Sequence, residues 1–551
     1  MLLLAASLLP REDWTAAFAS QPNEYHRVPL KLTTGTPPAT LSGTLYKNGP
    51  ANFHRGGVEY AHWLDGDGYV TALEIRPGEP AIWSGRYVLT DALEQEQAAD
   101  SIVYRTTFGT LRPGGVLANA GDIRLKSPAN TNVMSLADGT LLALWEAGPP
   151  YELDPHTLEC KGTHSLDGRM RLSGSHGALP GTTSIPWLDS ALESIGLLTD
   201  ACSAHPREDD YSKQCTIAWS WRQRLVGDPA IDIALHAVPH EEATTTASPS
   251  PPPPPVRATL PGVAFAPHDM ALTPSYAVFI SSPTVVELGQ YLIGLRGPAQ
   301  CTKFIEPPPR GGSTIHLVTR TGEDSGDSRA YCIGDGLTYH PVHTANAWEE
   351  EEEEEVHLLA SCWPPEAVRR LARSGSSLLG SWDELVQGDF SKVAMTNLVR
   401  FVIDRKTAKV TEHRILAGGA QFDHPRVHPR WATRRSRYVF GTLGRRDNGG
   451  ENDAVPEPPT RFGCIDVSTA SGELVDAWYA GDRRLVDEAT LVPIEGEEDD
   501  ERAVWLIAPV FDGVTRTTSY VVLDGRDLAA GPVCEWACPT FIPWGLHGAW
   551  V

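Results

Sequence analysis

The chain has 551 residues, a formal net charge of −24 at pH 7 and a pI near 5.2. So acidic a chain lacks the positive footprint that phosphate contacts need, which excludes a general nucleic-acid binder. Hydrophobic residues make up 41%, enough for a large core, and this length predicts either about two to four domains or one long β-rich unit.

The N-terminal segment Met1–Leu9 is apolar but has no basic flank, and Arg11-Glu12-Asp13 follows at once. It reads as an apolar arm or a frayed helix start rather than a secretion signal. No run of about 18 apolar residues occurs, so no transmembrane helix is expected. The nine cysteines include no CxxC pair, and no Asn-x-Ser/Thr acceptor is present. An intracellular, non-secreted protein is expected, either soluble or peripheral to a membrane, with cytosol and plastid not distinguished.

One pattern recurs along the chain. Tyr151-Glu-Leu-Asp154, Phe401-Val-Ile-Asp404, Phe462-Gly-Cys-Ile-Asp466 and Tyr520-Val-Val-Leu-Asp524 each run from an apolar strand into Asp, then a turn, then a second strand. Asp in such a turn can accept from backbone N–H groups two residues on. Gly 50, Pro 45 and Trp 16 agree with many short strands, and a sandwich or a propeller is predicted. The recurrence is too degenerate to count repeats. Helical text is sparse: Trp187 to Leu198 and Pro365 to Leu371 are the candidates, read as additions to a β scaffold. The Pro/Thr/Ser-rich stretch 243–257 and the poly-Glu run 349–355 are predicted loop insertions, because prolines favour extended chain and like charges repel. Strand-rich text continues on both sides of each, so one domain over 1–551 is expected.

Four of the eighteen histidines stand out by context: Ser203-Ala-His205-Pro, His268-Asp-Met-Ala-Leu-Thr, His343-Thr-Ala-Asn-Ala-Trp and Leu546-His547-Gly-Ala-Trp. No pair is spaced i, i+4, so no helix presents two of them together. Such wide spacing suits four elements converging on one axis, but spacing alone does not select these four, and His340 competes with His343.

The ordered motifs do select them. Tyr46-Lys-Asn-Gly-Pro-Ala and His62-Trp-Leu-Asp-Gly-Asp-Gly resemble the RNGP and HWFDGDG motifs of the carotenoid cleavage oxygenases. Ala129-Asn-Thr-Asn and Leu144-Trp-Glu-Ala-Gly resemble that family's ANT and LWEGG stretches. The four histidine motifs follow in the family's order, so the resemblance runs almost from end to end. It implies an all-β fold, a seven-bladed β-propeller with a helical cap over its top face. One Fe(II) per chain would lie on the axis, held by His205, His268, His343 and His547, with O2 as co-substrate. It also implies three carboxylates behind the ligand histidines: Glu146, Glu488 and, in Phe422-Asp-His-Pro where the family usually has Glu-Phe-Pro, the shorter Asp423. Thr131, in the ANT match, is a candidate to crowd one open iron position.

Neutral imidazoles suit Fe(II) and leave its charge intact. A carboxylate on the far ring nitrogen fixes each ring's orientation and raises its basicity. The resemblance implies cleavage of one carbon–carbon double bond of a carotenoid or apocarotenoid into two carbonyl products. The partner expected is an apolar polyene, which leaves room for peripheral membrane contact; no obligate protein partner is evident. The alternatives are a stilbene-cleaving dioxygenase of the same family and a non-catalytic propeller scaffold. The stilbene branch commonly carries Lys just before the first outer carboxylate, where this chain has Trp145. The retinyl-ester-isomerising branch carries a Pro-Asp-Pro-Cys motif that is absent here.

Overall fold

The structure is a computed structural model that describes residues 10–173, 177–209, 215–239, 254–377, 386, 393–444 and 457–551. It is mostly β. Among the described residues, seven sheets have four or more strands. Four of them are simple four-stranded meanders whose strands follow one another in sequence or nearly so, for example His340–Glu350, Glu355–Trp363, Asn397–Asp404 and Lys409–Ile415.

The recurrent Asp pattern is the hairpin between the last two strands of a sheet. Tyr151–Leu153 pairs antiparallel with Cys160–Thr163, and Arg461–Asp466 with Glu473–Tyr479. In each turn the aspartate accepts from the backbone ahead of it: Asp154 from His156 and Thr157 at 3.0 and 2.9 Å, Asp404 from Thr407 at 2.8 Å, Asp466 from Ser468 and Asp524 from Arg526 at 2.9 Å. The side chain thereby satisfies donors that a tight turn leaves unpaired.

Each sheet packs face to face on the next. Val70 and Tyr46 of the first meet Val133 and Tyr151 of the second. Leu142 and Leu144 meet Ala218 and Val238, and Trp219 and Ile233 meet Ala277 and Phe279. The series continues through Leu317 on Leu358, Leu398 on Val439 and Phe462 on Leu506. It then closes, because Ile507, Tyr520 and Trp536 of the last sheet pack on Leu45, Leu73 and Trp83 of the first. Backbone pairing closes the same seam twice. The C-terminal strand Gly548–Trp550 joins the first sheet on Gly43–Asn52, and Lys31–Gly35 joins the last on Cys534–Ala537. Burying each large apolar side chain contributes about 1.5–3 kcal/mol, so the seams hold the ring together.

Both predicted helices form, as Pro186–Ser194 and Pro365–Ser374, each with proline in its first turn where the missing N–H costs nothing. The first stops short of the predicted end because Leu198 pairs with Leu179 in a sheet. Glu351–Glu354 form the exposed turn between two strands, while Glu349, Glu350 and Glu355 belong to the strands themselves. Most of the tract at 243–257 lies outside the described residues, as does Met1–Leu9; its last two members, Val256 and Arg257, begin the strand Val256–Pro261. No disulfide joins any of the nine cysteines, all of which lie among the described residues. Among the described residues no helix is long and apolar enough to cross a membrane.

Candidate metal centre

The fold brings the sequence-selected residues to the inner ends of successive sheets. Thr131 directly precedes the strand Asn132–Ser135, and Glu146 follows Leu141–Leu144. His205 precedes Arg207–Asp209, and His268 precedes Ala271–Leu272. His343 lies within His340–Glu350 and Asp423 within Phe422–Arg426; Glu488 lies between Arg484–Val486 and Thr490–Pro493, and His547 precedes Gly548–Trp550.

His205, His268, His343 and His547 form one cluster in which a nitrogen of each lies within 4.8 Å of the others. Nε2 of His205 and Nε2 of His547 are 3.0 Å apart. The opposite nitrogens face carboxylates. Nδ1 of His268 lies 2.9 Å from Glu146 Oε2, Nδ1 of His343 2.7 Å from Asp423 Oδ1, and Nδ1 of His547 3.0 Å from Glu488 Oε2. Glu146 serves two rings: its other oxygen is 2.8 Å from Nδ1 of His205, close but off the line of a good hydrogen bond. Three carboxylates therefore stand behind four imidazoles. His340 is not in the cluster; its Nδ1 meets Ser282 Oγ at 3.0 Å.

The electrostatics follow from this pairing. Burial pushes the Glu146 carboxyl up, but His268 and His205 beside it more than offset this and hold it near 2. Glu488 is held well below the carboxylate range by Arg426 and His547 in spite of its burial, and Asp423 is held low by His343. Burial drives His205 well down and His547 to about 3. His268 is raised, because Glu146 and Asp269 overcome the cost of burial. With carboxylates accepting at Nδ1, the rings present bare Nε2 lone pairs to one another. Such an array repels itself unless a cation lies between.

Several partners escaped the sequence reading. Arg207 reaches the Asp269 carboxylate, and its guanidinium also donates to the carbonyls of Met270 and Thr344 at 2.9 and 2.8 Å. Asp269 Oδ2 in turn accepts from the Thr344 backbone at 2.7 Å. These residues neighbour His205, His268 and His343, so one buried ion pair ties three histidine segments together. The fourth segment is held separately. Asp487 accepts from Gly545 at 3.0 Å, Lys47 donates to the Leu546 carbonyl at 3.1 Å, and the Thr131 carbonyl accepts from the His547 backbone at 3.1 Å. Adjacency to a selected histidine was the one sequence signal that could have found Asp269 and Arg207.

The cluster opens on a cavity of about 840 Å³. His268, His343, His547 and Thr131 line it near the cluster, and Trp145, Trp221, Phe265, Leu288, Leu292 and Trp363 give it apolar walls. His424 also faces it; burial lowers the pKa of that ring.

Comparison with known proteins agrees with this geometry. The family model described as retinal pigment epithelial membrane protein (RPE65) matches residues 18–551. Apocarotenoid-15,15'-oxygenase of Synechocystis is 29% identical over 98% of this chain and 96% of that protein. Carotenoid cleavage dioxygenase 7 of Oryza sativa is 26% identical, covering 98% of the chain and 91% of the relative. Resveratrol cleavage oxygenase 1 of Aspergillus fumigatus is 25% identical over 94% and 91%. Among solved structures, cobalt-substituted Synechocystis apocarotenoid oxygenase superposes with a TM-score of 0.78 at 26% identity, covering 99% of this chain and 100% of that one. The chain belongs to the RPE65/carotenoid cleavage oxygenase family.

Proposed function

We propose that this protein is a non-haem Fe(II) dioxygenase that cleaves one carbon–carbon double bond of a carotenoid or apocarotenoid with O2 to give two carbonyl products. The observation that carries the reading is the convergence of four carboxylate-backed imidazoles, within 4.8 Å, beside a large apolar cavity. His205, His268, His343 and His547 would hold one iron per chain, and the neutral nitrogen donor set fits Fe(II). The closed circuit of seven sheets supports a seven-bladed propeller in a single domain, with helices such as Leu288–Leu292 over the cavity as its cap.

Bound Fe(II) supplies the redox chemistry with O2 that splits the alkene. The chain's own residues do the rest. Glu146, Asp423 and Glu488 keep the protons on Nδ1 and hold the rings in place. The Arg207–Asp269 pair fixes the segments that carry three of those rings. Trp145, Trp363 and the aliphatic walls exclude water and align a rigid, apolar polyene. Thr131 narrows the space beside His547 from the cavity wall. No side chain is required as nucleophile or general base.

Apolar side chains exposed near the cavity support peripheral membrane contact. Leu225, Leu288 and Leu292 line the cavity and are nevertheless 46–48% exposed. Trp187 and Leu117, 73% and 96% exposed, lie on the helices Pro186–Ser194 and Gly115–Asn119, whose flanking residues Thr182 and Gly121 bond the backbone of Leu225 and Leu292. A polyene dissolved in lipid would enter from such a patch.

The stilbene-cleaving reading is favoured only by the resveratrol-cleaving relatives, and Trp145 stands against it. Incubation of the iron-loaded protein with an apocarotenal and with resveratrol, followed by product analysis, separates the two. Turnover of the apocarotenal is expected, and preferential turnover of the stilbene contradicts the proposal.

A further inference from the structure

Asp423 and His424 are consecutive, yet both side chains face the cavity. In a regular strand they would point to opposite sides of the sheet. Here the pairing register between Phe422–Arg426 and Tyr438–Leu443 shifts between Asp423 and Arg426, and His424 takes φ 50°, a left-handed conformation unfavourable for a side-chain-bearing residue. Strain of this kind persists where the surroundings over-determine it, often at a functional site. The bulge lets Asp423 back His343 and at the same time turns His424 toward the cluster, with ring centroids 5.1 Å from His343 and 5.9 Å from His547.

The hydrogen bonds of His424 define what it offers. Its Nδ1 lies 3.2 Å from the Thr442 hydroxyl, and that hydroxyl donates to the Asp423 carbonyl at 3.1 Å. With its only proton committed there, Thr442 can act toward His424 only as an acceptor. In the neutral ring Nδ1 therefore carries the hydrogen, and Nε2 is a lone-pair acceptor. Among the described residues no side chain donates to it.

We infer that His424 is a specificity-determining residue whose Nε2 accepts a hydrogen bond from a hydroxyl that the substrate carries near the reacting double bond. This rests on the dioxygenase reading above and narrows its substrate class to hydroxylated polyenes. An aldehyde in the same place would set one lone pair against another and leave a buried acceptor unpaired, which is how a polar site rejects an analogue that lacks its donor.

The test uses the full-length, iron-loaded protein held anaerobically, so that binding is read without turnover. An apocarotenol and the apocarotenal of the same carbon skeleton are titrated, with quenching of tryptophan fluorescence as the signal, since Trp145 and Trp363 line the cavity. The alcohol is expected to bind about five-fold more tightly, the ratio given by one net hydrogen bond of about 1 kcal/mol. His424→Phe, and separately Thr442→Val, should bring the two affinities together while iron content stays the same. Equal affinities in the unaltered protein, or the full preference retained in either folded variant, overturn the inference. If both ligands bind equally and the apocarotenoid is still cleaved once air is admitted, only the inference falls; binding of neither ligand overturns the dioxygenase reading along with it.

Discussion

Asp423 Oδ1 lies 2.7 Å from Nδ1 of His343, so a side chain one methylene shorter than glutamate still reaches its histidine. The pairing register of Phe422–Arg426 on Tyr438–Leu443 shifts directly after Asp423. Asp423→Asn keeps the size but loses the charge and one of the two acceptor oxygens. Metal affinity is expected to fall about 10- to 100-fold, measured as iron retained against a graded chelator series. Unchanged retention would mean that this carboxylate does not support the ligand.

Glu146 stands behind two rings, His205 and His268. Glu146→Gln should therefore cost more metal affinity than Asp423→Asn in the same chelator series. A loss no larger than that of the Asp423 variant would show that only the better-directed His268 contact matters.

The Arg207–Asp269 pair is nearly dry, with the Asp269 side chain 1% exposed. Arg207→Met leaves that charge buried without its partner, and a loss of about 3–5 kcal/mol is expected, read from denaturant unfolding. The pair also sets a pH dependence. Burial pushes the Asp269 carboxyl up, but Arg207 overrides this and holds it below its ordinary value. Its stabilisation is thus complete above the unfolded pKa of about 4 and fades as pH falls through the lower folded value. The Arg207→Met protein should lack this contribution at neutral pH, so its deficit relative to the unaltered protein should shrink on acidification.

Replacing Leu117 and Trp187 together with glutamate removes the two most exposed large apolar side chains near the cavity. Sedimentation with liposomes should fall while iron content is retained. Deleting residues 1–9 tests the N-terminal arm in the same assay. Undiminished binding in the first variant would move the membrane contact elsewhere.

The four histidines were legible because each sits in an ordered motif, and the hairpin aspartates because Asp-turn chemistry is local. Glu146, Glu488 and Asp423 could be placed by the same motif order. The sharing of Glu146 between two rings could not, since it depends on how far apart two sheets sit. Arg207 and Asp269 are 62 residues apart; only the folded ring makes them one brace. The orientation of His424 depends on a backbone bulge that leaves no composition signal. The sheet count was hidden for a related reason: strand lengths and loops vary too much for a period to survive.

In the proposed function, cleavage depends on an iron held by four histidines. The direct measurement is iron per chain and product mass, taken together, for the purified protein and for a chain truncated after Gly545, which lacks His547. One iron and two carbonyl fragments from an apocarotenoid are expected in the first case, and loss of both in a truncated protein that still folds. A truncated protein that keeps its iron, or full cleavage after iron has been removed, would contradict it.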